Sequence, residues 1–175
     1  MNLQPTLSNE LVLLRPLEVQ DFDALFEVAK DPLIWEQHPC PDRYLSEPFA
    51  TFFEDSLESG GALVVMDQAQ QVIIGSSRFK PILGAPLAVE IGWSFLARAY
   101  WGGTYNKAVK HQMMAHAFRF IEDIVFYIGK ENIRSQRAVV KLGAELVEGP
   151  AYAHLIADKV NDLCFRINRG EWGKR

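Results

Sequence analysis

Val89-Glu-Ile-Gly-Trp-Ser-Phe-Leu96, followed after Ala97-Arg-Ala-Tyr100 by Trp101-Gly-Gly-Thr-Tyr-Asn106, is the stretch on which the fold turns. The first half reads as a central strand, Leu87–Leu96. At a period of two, Val89, Ile91, Trp93 and Phe95 share one face, and Glu90, Gly92 and Ser94 share the other. The second half closes that strand with a glycine pair opening a long helix-like run. Backbone N–H groups at a helix start lack partners within the helix and lie at the positive end of its dipole, so this turn suits a phosphate or pyrophosphate. It fits neither the dinucleotide fingerprint GxGxxG nor the P-loop sequence GxxxxGK. An anionic cofactor outside those two classes is expected, against the plainer reading of a turn that only joins strand to helix.

Working outward, Tyr105 to Ile121 is the best-defined helix, with Tyr105, Val109, Met113, Ala117, Phe120 and Ile121 along one stripe. Upstream, Ala62–Met66 and Val72–Phe79 read as a hairpin joined by the polar turn Asp67–Gln71. Leu11–Leu14 is a first strand, and Phe22, Leu25, Phe26 and Ala29 have the spacing of a short amphipathic helix. Pro32 to Tyr44, rich in proline and aromatic residues, is a loop or broken helix. Ser46 is placed as the N-cap of a helix with Pro48 in its first turn, ending near Ser59 before Gly60-Gly61. Downstream, Ile124–Ile128 is a strand, Asn132 to Leu142 a helix closed by Gly143, Pro150–Asp158 a loop and Val160–Asn168 the last strand. This order predicts an α+β (α/β-like) fold with one mixed sheet and helices on both faces.

A chain of 175 residues, 49% hydrophobic and 23% charged, is expected to form one soluble domain over residues 1–175. The net charge of -4 argues against nucleic acid, whose binding needs a basic face. Cys40 and Cys164 form no CxxC pair and suit a reduced protein. Met1-Asn-Leu-Gln-Pro5 shows no basic or apolar signal region, and no apolar run reaches membrane-spanning length, so a cytoplasmic protein with no membrane partner is expected. The spacing of His38, His111, His116 and His154 implies no metal.

Three elements carry candidate chemistry. Glu90 beside Gly92 in a central strand is costly unless its carboxylate meets water, a partner or a substrate. The glycine turn offers an anion site. Asn132 suits a helix N-cap, with Ser135 at the N3 position.

Together these elements resemble the GNAT superfamily of N-acetyltransferases, and within it the branch of ribosomal-protein N-terminal (serine/alanine) acetyltransferases. The resemblance rests on Leu11-Val-Leu-Leu-Arg-Pro-Leu17, Glu90-Ile-Gly-Trp93, Tyr100-Trp-Gly-Gly103 and Asn132-x-x-Ser135 with Lys141-Leu-Gly143, in that order. It implies a mostly antiparallel central sheet with a V-shaped split between two parallel strands, in which acetyl-CoA lies. The pyrophosphate would meet the turn Trp101, Gly102, Gly103, Thr104, Tyr105 and Asn106. The family's signature Q/R-x-x-G-x-G/A has Trp101, Thr104 and Asn106 at its defining positions, and Thr104 replaces a glycine. Its side chain would either crowd the cofactor or donate to a phosphate oxygen and cap the helix. Lys107, Lys110, Arg134 and Arg137 are read either as partners of cofactor phosphates or as solvated surface charges.

The implied reaction is direct attack of a primary amine on the acetyl thioester in a ternary complex. An α-amine with pKa of about 8 is far more often neutral at pH 7 than a lysine amine near about 10.4, so an N-terminal acceptor asks less of its base. Glu90 is the candidate base, directly or through water. The N–H groups near Phe95 and Leu96 would polarise the carbonyl, Ser135 would protonate the departing sulfur, and Asn132 would bind the pantetheine arm. Trp35, Tyr44 and Tyr152, in the least regular segments, are the candidates for acceptor recognition. The acceptor is a protein N-terminus or a small-molecule amine. The rival reading is a catalytically silent acyl-CoA-binding or regulatory module. Phe165 and Trp172 would either form a dimer contact or close the sheet edge, leaving monomer or homodimer open.

Overall fold

Apolar residues alternate or run continuously through six segments, and these pair with two short ones into one sheet. A computed structural model describes residues 1–149, 152–156 and 161–172. The strands are β1 (Leu7–Ser8), β2 (Val12–Pro16), β3 (Ala62–Asp67), β4 (Ile73–Pro81), β5 (Ala88–Leu96), β6 (Asp123–Gly129), β7 (Glu145–Leu146) and β8 (Asp162–Asn168). Their order across the sheet is β1-β2-β3-β4-β5-β6-β8-β7. Every neighbouring pair is antiparallel except β5 with β6, which run parallel.

Helices cover both faces. Met113, Ala117 and Val109 of α3 (Tyr105–Ala117) and Val139 of α4 (Ile133–Lys141) pack over Leu14, Leu63, Phe79, Ile91 and Ile124. On the other face α1 (Phe22–Ala29) and α2 (Ser46–Glu58) bring together Phe22, Phe26, Phe49, Phe52 and Phe53 above Ala62 and Val64. Removing each such ring from water is worth about 2–3 kcal/mol. Strand β3 is therefore apolar from Ala62 to Met66, because Leu63 and Val65 face one helix layer and Ala62 and Val64 the other.

The predicted elements are present with local corrections. Ser46 is the first residue of α2, and Leu45, with extended φ -85° and ψ 147°, is its N-cap without a side-chain bond. Helix α3 ends at Ala117, so Phe120 leaves the stripe and is exposed. Strands β1 and β7, two residues each, are too short to show a period in sequence. Within the loop expected at Pro150–Asp158, α5 forms over Ala153–Ile156; positions 150, 151, 157 and 158, and Val160 of the last expected strand, lie outside the described residues. Phe165 is buried in the core beneath α3, and Trp172 packs on Phe118 and His111. Among the described residues no helix is long and apolar enough to cross a membrane.

Candidate active site

Strands β5 and β6 pair only at their N-terminal ends, through Ala88↔Asp123, Val89↔Ile124 and Glu90↔Val125. Trp93, at φ 51°, marks where β5 departs from regular geometry. There the register with β4 slips from Arg78↔Gly92 to Ser76↔Phe95, three steps on β5 against two on β4. This is a β-bulge, which bends a strand and raises its twist. It also exchanges the faces. Val89, Ile91 and Leu96 lie in the core beneath α3, whereas Phe95 joins the aromatic core of α1 and α2. The single face expected for Val89, Ile91, Trp93 and Phe95 is corrected, because strict alternation ends at the bulge.

Two cavities meet in the opening between the strands. One, of about 180 Å³, is walled by Phe95, Leu96, Trp101, Gly102 and Trp35. The other, of about 250 Å³, runs past Glu90, Gly92, Lys110 and Tyr127. His38, Ser94, Asn106, Asn132 and Ser135 border both.

Asn132 caps α4 as its sequence context predicts, its Oδ1 accepting the Ser135 N–H at 3.1 Å. Fixing that cap turns Ser135 toward the junction of the cavities. At the start of α3 the picture is mixed. Trp101, Gly102 and Asn106 line the cavities, whereas Gly103, Thr104 and Tyr105 do not. Gly102 uses its freedom at φ 71°, where an L side chain is strained. Thr104 is the N-cap residue, but its side chain makes no capping bond, so the capping role expected of it is corrected. The hydroxyl is exposed instead, and the first N–H groups of α3 have no side-chain cap from it. The Tyr105 hydroxyl donates to Asp67 at 2.9 Å, which ties the helix start to the end of β3. The Trp101 indole N–H donates to the Leu96 carbonyl at 2.9 Å, while the Arg134 guanidinium lies 4.1 Å over its ring.

Charge is concentrated in the second cavity. Glu90 is 5% exposed and borders it. Lys110 is 4% exposed and borders it too, with Nζ donating to Ser77 Oγ at 3.1 Å and to Ser94 Oγ. Burial pushes the Lys110 ammonium down to about 7. Lys110 therefore sits away from solvent, unlike Lys107, which is exposed. Burial, reinforced by Arg43, pushes His38 down to about 4, so its imidazole is neutral at pH 7.

The aromatic residues expected to read the acceptor are placed differently. Trp35 is buried, donates its indole N–H to the Ala29 carbonyl at 2.7 Å and stacks on Phe95, so it forms a wall of the first cavity. Tyr44 packs against the α1–α2 core and Tyr152 lies under the Arg166 guanidinium at 5.1 Å; neither borders these cavities.

The model of the acetyltransferase (GNAT) domain matches residues 12–145, which hold strands β2 to β6, the split and both helix starts. The chain belongs to the GNAT acetyltransferase family. It is accordingly an N-acetyltransferase, with acetyl-CoA as donor and an amine as acceptor. The GNAT fold extends to solved structures. An acetyltransferase of the GNAT family from Bacillus anthracis superposes with a TM-score of 0.74 at 19% identity, covering 95% of this chain and 100% of that one. RimJ of Mycobacterium smegmatis, solved with CoA-disulfide, gives 0.67 at 16% identity over 93% and 84%. A ribosomal-protein-serine acetyltransferase fold from Vibrio cholerae gives 0.71 at 13% over 96% and 99%. No curated protein matches the sequence.

Ser94, His38 and Arg43 border the GNAT split without having been singled out by the sequence, and Lys110, read as a phosphate partner or a solvated charge, is buried there instead. For Lys110 a signal existed: Met113, Met114 and Ala117 follow it at the i+3, i+4 and i+7 positions of a buried stripe. For Ser94 there was none, because its place depends on the bulge.

Proposed function

We propose that the chain transfers acetyl from acetyl-CoA to a primary amine, a protein N-terminus or a small-molecule amine, by direct attack while both are bound. The supporting observation is the meeting of two cavities at Ser94, Asn106, Asn132 and Ser135, which gives donor and acceptor separate entrances to one junction. The residues fit the donor. The first cavity reaches the α3 turn at Gly102 and Asn106, where the N–H groups of the helix start suit an anion. A Cβ on Gly103 would meet nothing within 4 Å, so the turn has open space on that side for a pyrophosphate.

Acetyl-CoA supplies an activated acyl group with a good leaving thiolate. The chain's own residues do the rest. The backbone of Gly102, Gly103, Thr104, Tyr105 and Asn106, with the Trp101 wall, holds the pyrophosphate end; Asn132 holds the arm. N–H groups near Phe95 and Leu96, on the stretch of β5 that has parted from β6, orient and polarise the carbonyl. Glu90 removes the proton that converts an ammonium into the attacking amine, and Ser135 donates to the departing sulfur.

The test begins with thermal unfolding at rising acetyl-CoA, since a ligand bound by the native state alone stabilises it by RT ln(1 + [L]/Kd). Turnover is then measured with peptides of free N-terminal serine and alanine and with a panel of small amines. Stabilisation plus turnover that falls in Glu90→Gln and Ser135→Ala supports the assignment. Stabilisation without turnover on any amine makes the protein a silent acyl-CoA binder. Wild-type turnover in both variants removes the two roles.

A further inference from the structure

We propose that Lys110, acting through the Ser94 hydroxyl, accepts the second proton that the acceptor nitrogen must release during acetyl transfer. The inference rests on the acetyl-transfer reading above and adds a residue to it.

The chemistry requires two proton losses. A protonated amine gives up one proton to become a nucleophile. When its lone pair forms the C–N bond, the nitrogen becomes cationic again and must lose another as the C–S bond breaks. Glu90 accounts for the first. A carboxylate already protonated by that step cannot take the second.

The geometry supplies a second acceptor on the other face of β5. Glu90 lies on the side of Lys80 and Arg78, with which its strand is in register, whereas Lys110 rises from α3 on the opposite side. Ser94 stands between Lys110 and the junction of the cavities, bordering both, and is available there because the bulge at Trp93 displaces it from regular pairing. Its Oγ lies 2.7 Å from Ser77 Oγ, and Lys110 Nζ contacts both hydroxyls. With Nζ neutral, the Ser94 contact runs in reverse. The hydroxyl gives its proton to Nζ while taking one from the acceptor nitrogen. The competing acceptor for Ser94 is the Gly92 carbonyl at 3.1 Å.

A buried ammonium is normally paired with a carboxylate, yet Lys110 forms no ion pair with any described residue. Two neutral hydroxyls are poor compensation for a charge and good company for an amine. The lowered value, about 7, agrees with that and leaves much of the population neutral at physiological pH. The titratable groups around the same cavity are Glu90 from β5, Tyr127 from β6, Asp162 from β8, and His38 and Arg43 from the segment between α1 and α2. Arg15, the charged residue of β2, is turned to Asp21. Lys107 and His111, its charged neighbours on α3, are exposed.

The experiment uses the full chain with acetyl-CoA and whichever amine turns over in the panel above. The expected profile of kcat/KM in wild type rises with pH through a limb near 7. Lys110→Met and Ser94→Ala lose that limb and about 100-fold in kcat, while Ser94→Thr, which keeps the hydroxyl, retains most of it. Acetyl-CoA still raises the unfolding temperature of each variant, which shows that fold and donor site survive. In parallel, ¹³Cε-lysine NMR assigns by its loss in Lys110→Met a resonance titrating near neutrality. A Lys110→Met enzyme within threefold of wild type and with the same pH limb overturns the proposal and leaves acetyl transfer standing. Acetyl-CoA binding without turnover on any amine overturns both.

Discussion

The Arg78 guanidinium lies 4.5 Å over the ring of Trp93, the residue whose positive φ forms the bulge in β5. Arg78 stands opposite Gly92 in the adjoining strand, is 6% exposed, donates to Ser56 Oγ and lies 5.9 Å from the Phe52 ring. It therefore connects α2 to the one irregular point of the strand that walls the site. Burial lowers it to about 10, so it remains cationic at pH 7. Arg78→Ala is expected to destabilise by about 2–3 kcal/mol through lost packing and cation–π contact, and to lower kcat as the bulge relaxes. Arg78→Lys should recover little of either, since an ammonium cannot stack as a planar group does. Urea denaturation and steady-state kinetics check both; a fully active, fully stable Arg78→Ala protein would remove its role in holding the bulge.

His38 predicts an acid limb in stability. Its folded pKa of about 4 lies below its unfolded 6.5, so between those values the unfolded chain binds a proton that the folded chain does not. Stability therefore rises with pH across that window and is lost as pH falls from 6.5 toward 4, by about 3 kcal/mol in all. The carboxylates held low, Asp21 by Arg15 and Asp67 by backbone N–H groups, titrate below 3.8 and contribute at lower pH. His38→Gln should flatten the unfolding temperature between pH 4 and 6.5 while leaving the steeper loss below it.

Asn132 couples stability to donor binding. The Oδ1 bond to the Ser135 N–H is lost in Asn132→Ala, at a cost of about 1 kcal/mol. Asn132→Asp keeps the cap and should restore the unfolding temperature. If the side chain also binds the pantetheine arm, acetyl-CoA affinity falls in the alanine variant by more than stability alone explains, as isothermal titration would show.

What the sequence made legible and what it hid divide along physical lines. Glu90, the Asn132 cap and the turn before α3 rest on local signals: alternation, a capping residue, a glycine pair; the split of the sheet was implied by the family resemblance alone. The exchange of faces at Trp93 does not, because a tryptophan at positive φ is held by Arg78 from another strand rather than by its own preference. Lys110 was read as one of two exposed or phosphate-bound lysines because charge usually means solvent, and only the apolar stripe around it argued otherwise. Trp35 looked like a recognition residue since it sits in an irregular segment. In the fold its large ring is buried against Phe52 and Phe95 and walls the first cavity.

Two glycines separate packing from binding. A Cβ on Gly75 would lie 2.0 Å from the Phe95 carbonyl and 3.0 Å from the Leu96 Cα, backbone atoms of the strand that walls the first cavity. Gly75→Ala must push β5 aside, costing about 2–3 kcal/mol and misplacing the carbonyl-binding N–H groups, with kcat/KM down about 100-fold. Gly103→Ala meets no atom within 4 Å and needs no strained backbone, so its stability should match wild type. Its methyl would stand where the α3 turn is proposed to meet pyrophosphate. The expected result is therefore an unchanged unfolding temperature in the free protein and a smaller rise with acetyl-CoA. An equal rise in the two proteins would place the pyrophosphate away from Gly103 and shift the anion contact to the N–H groups beyond Thr104.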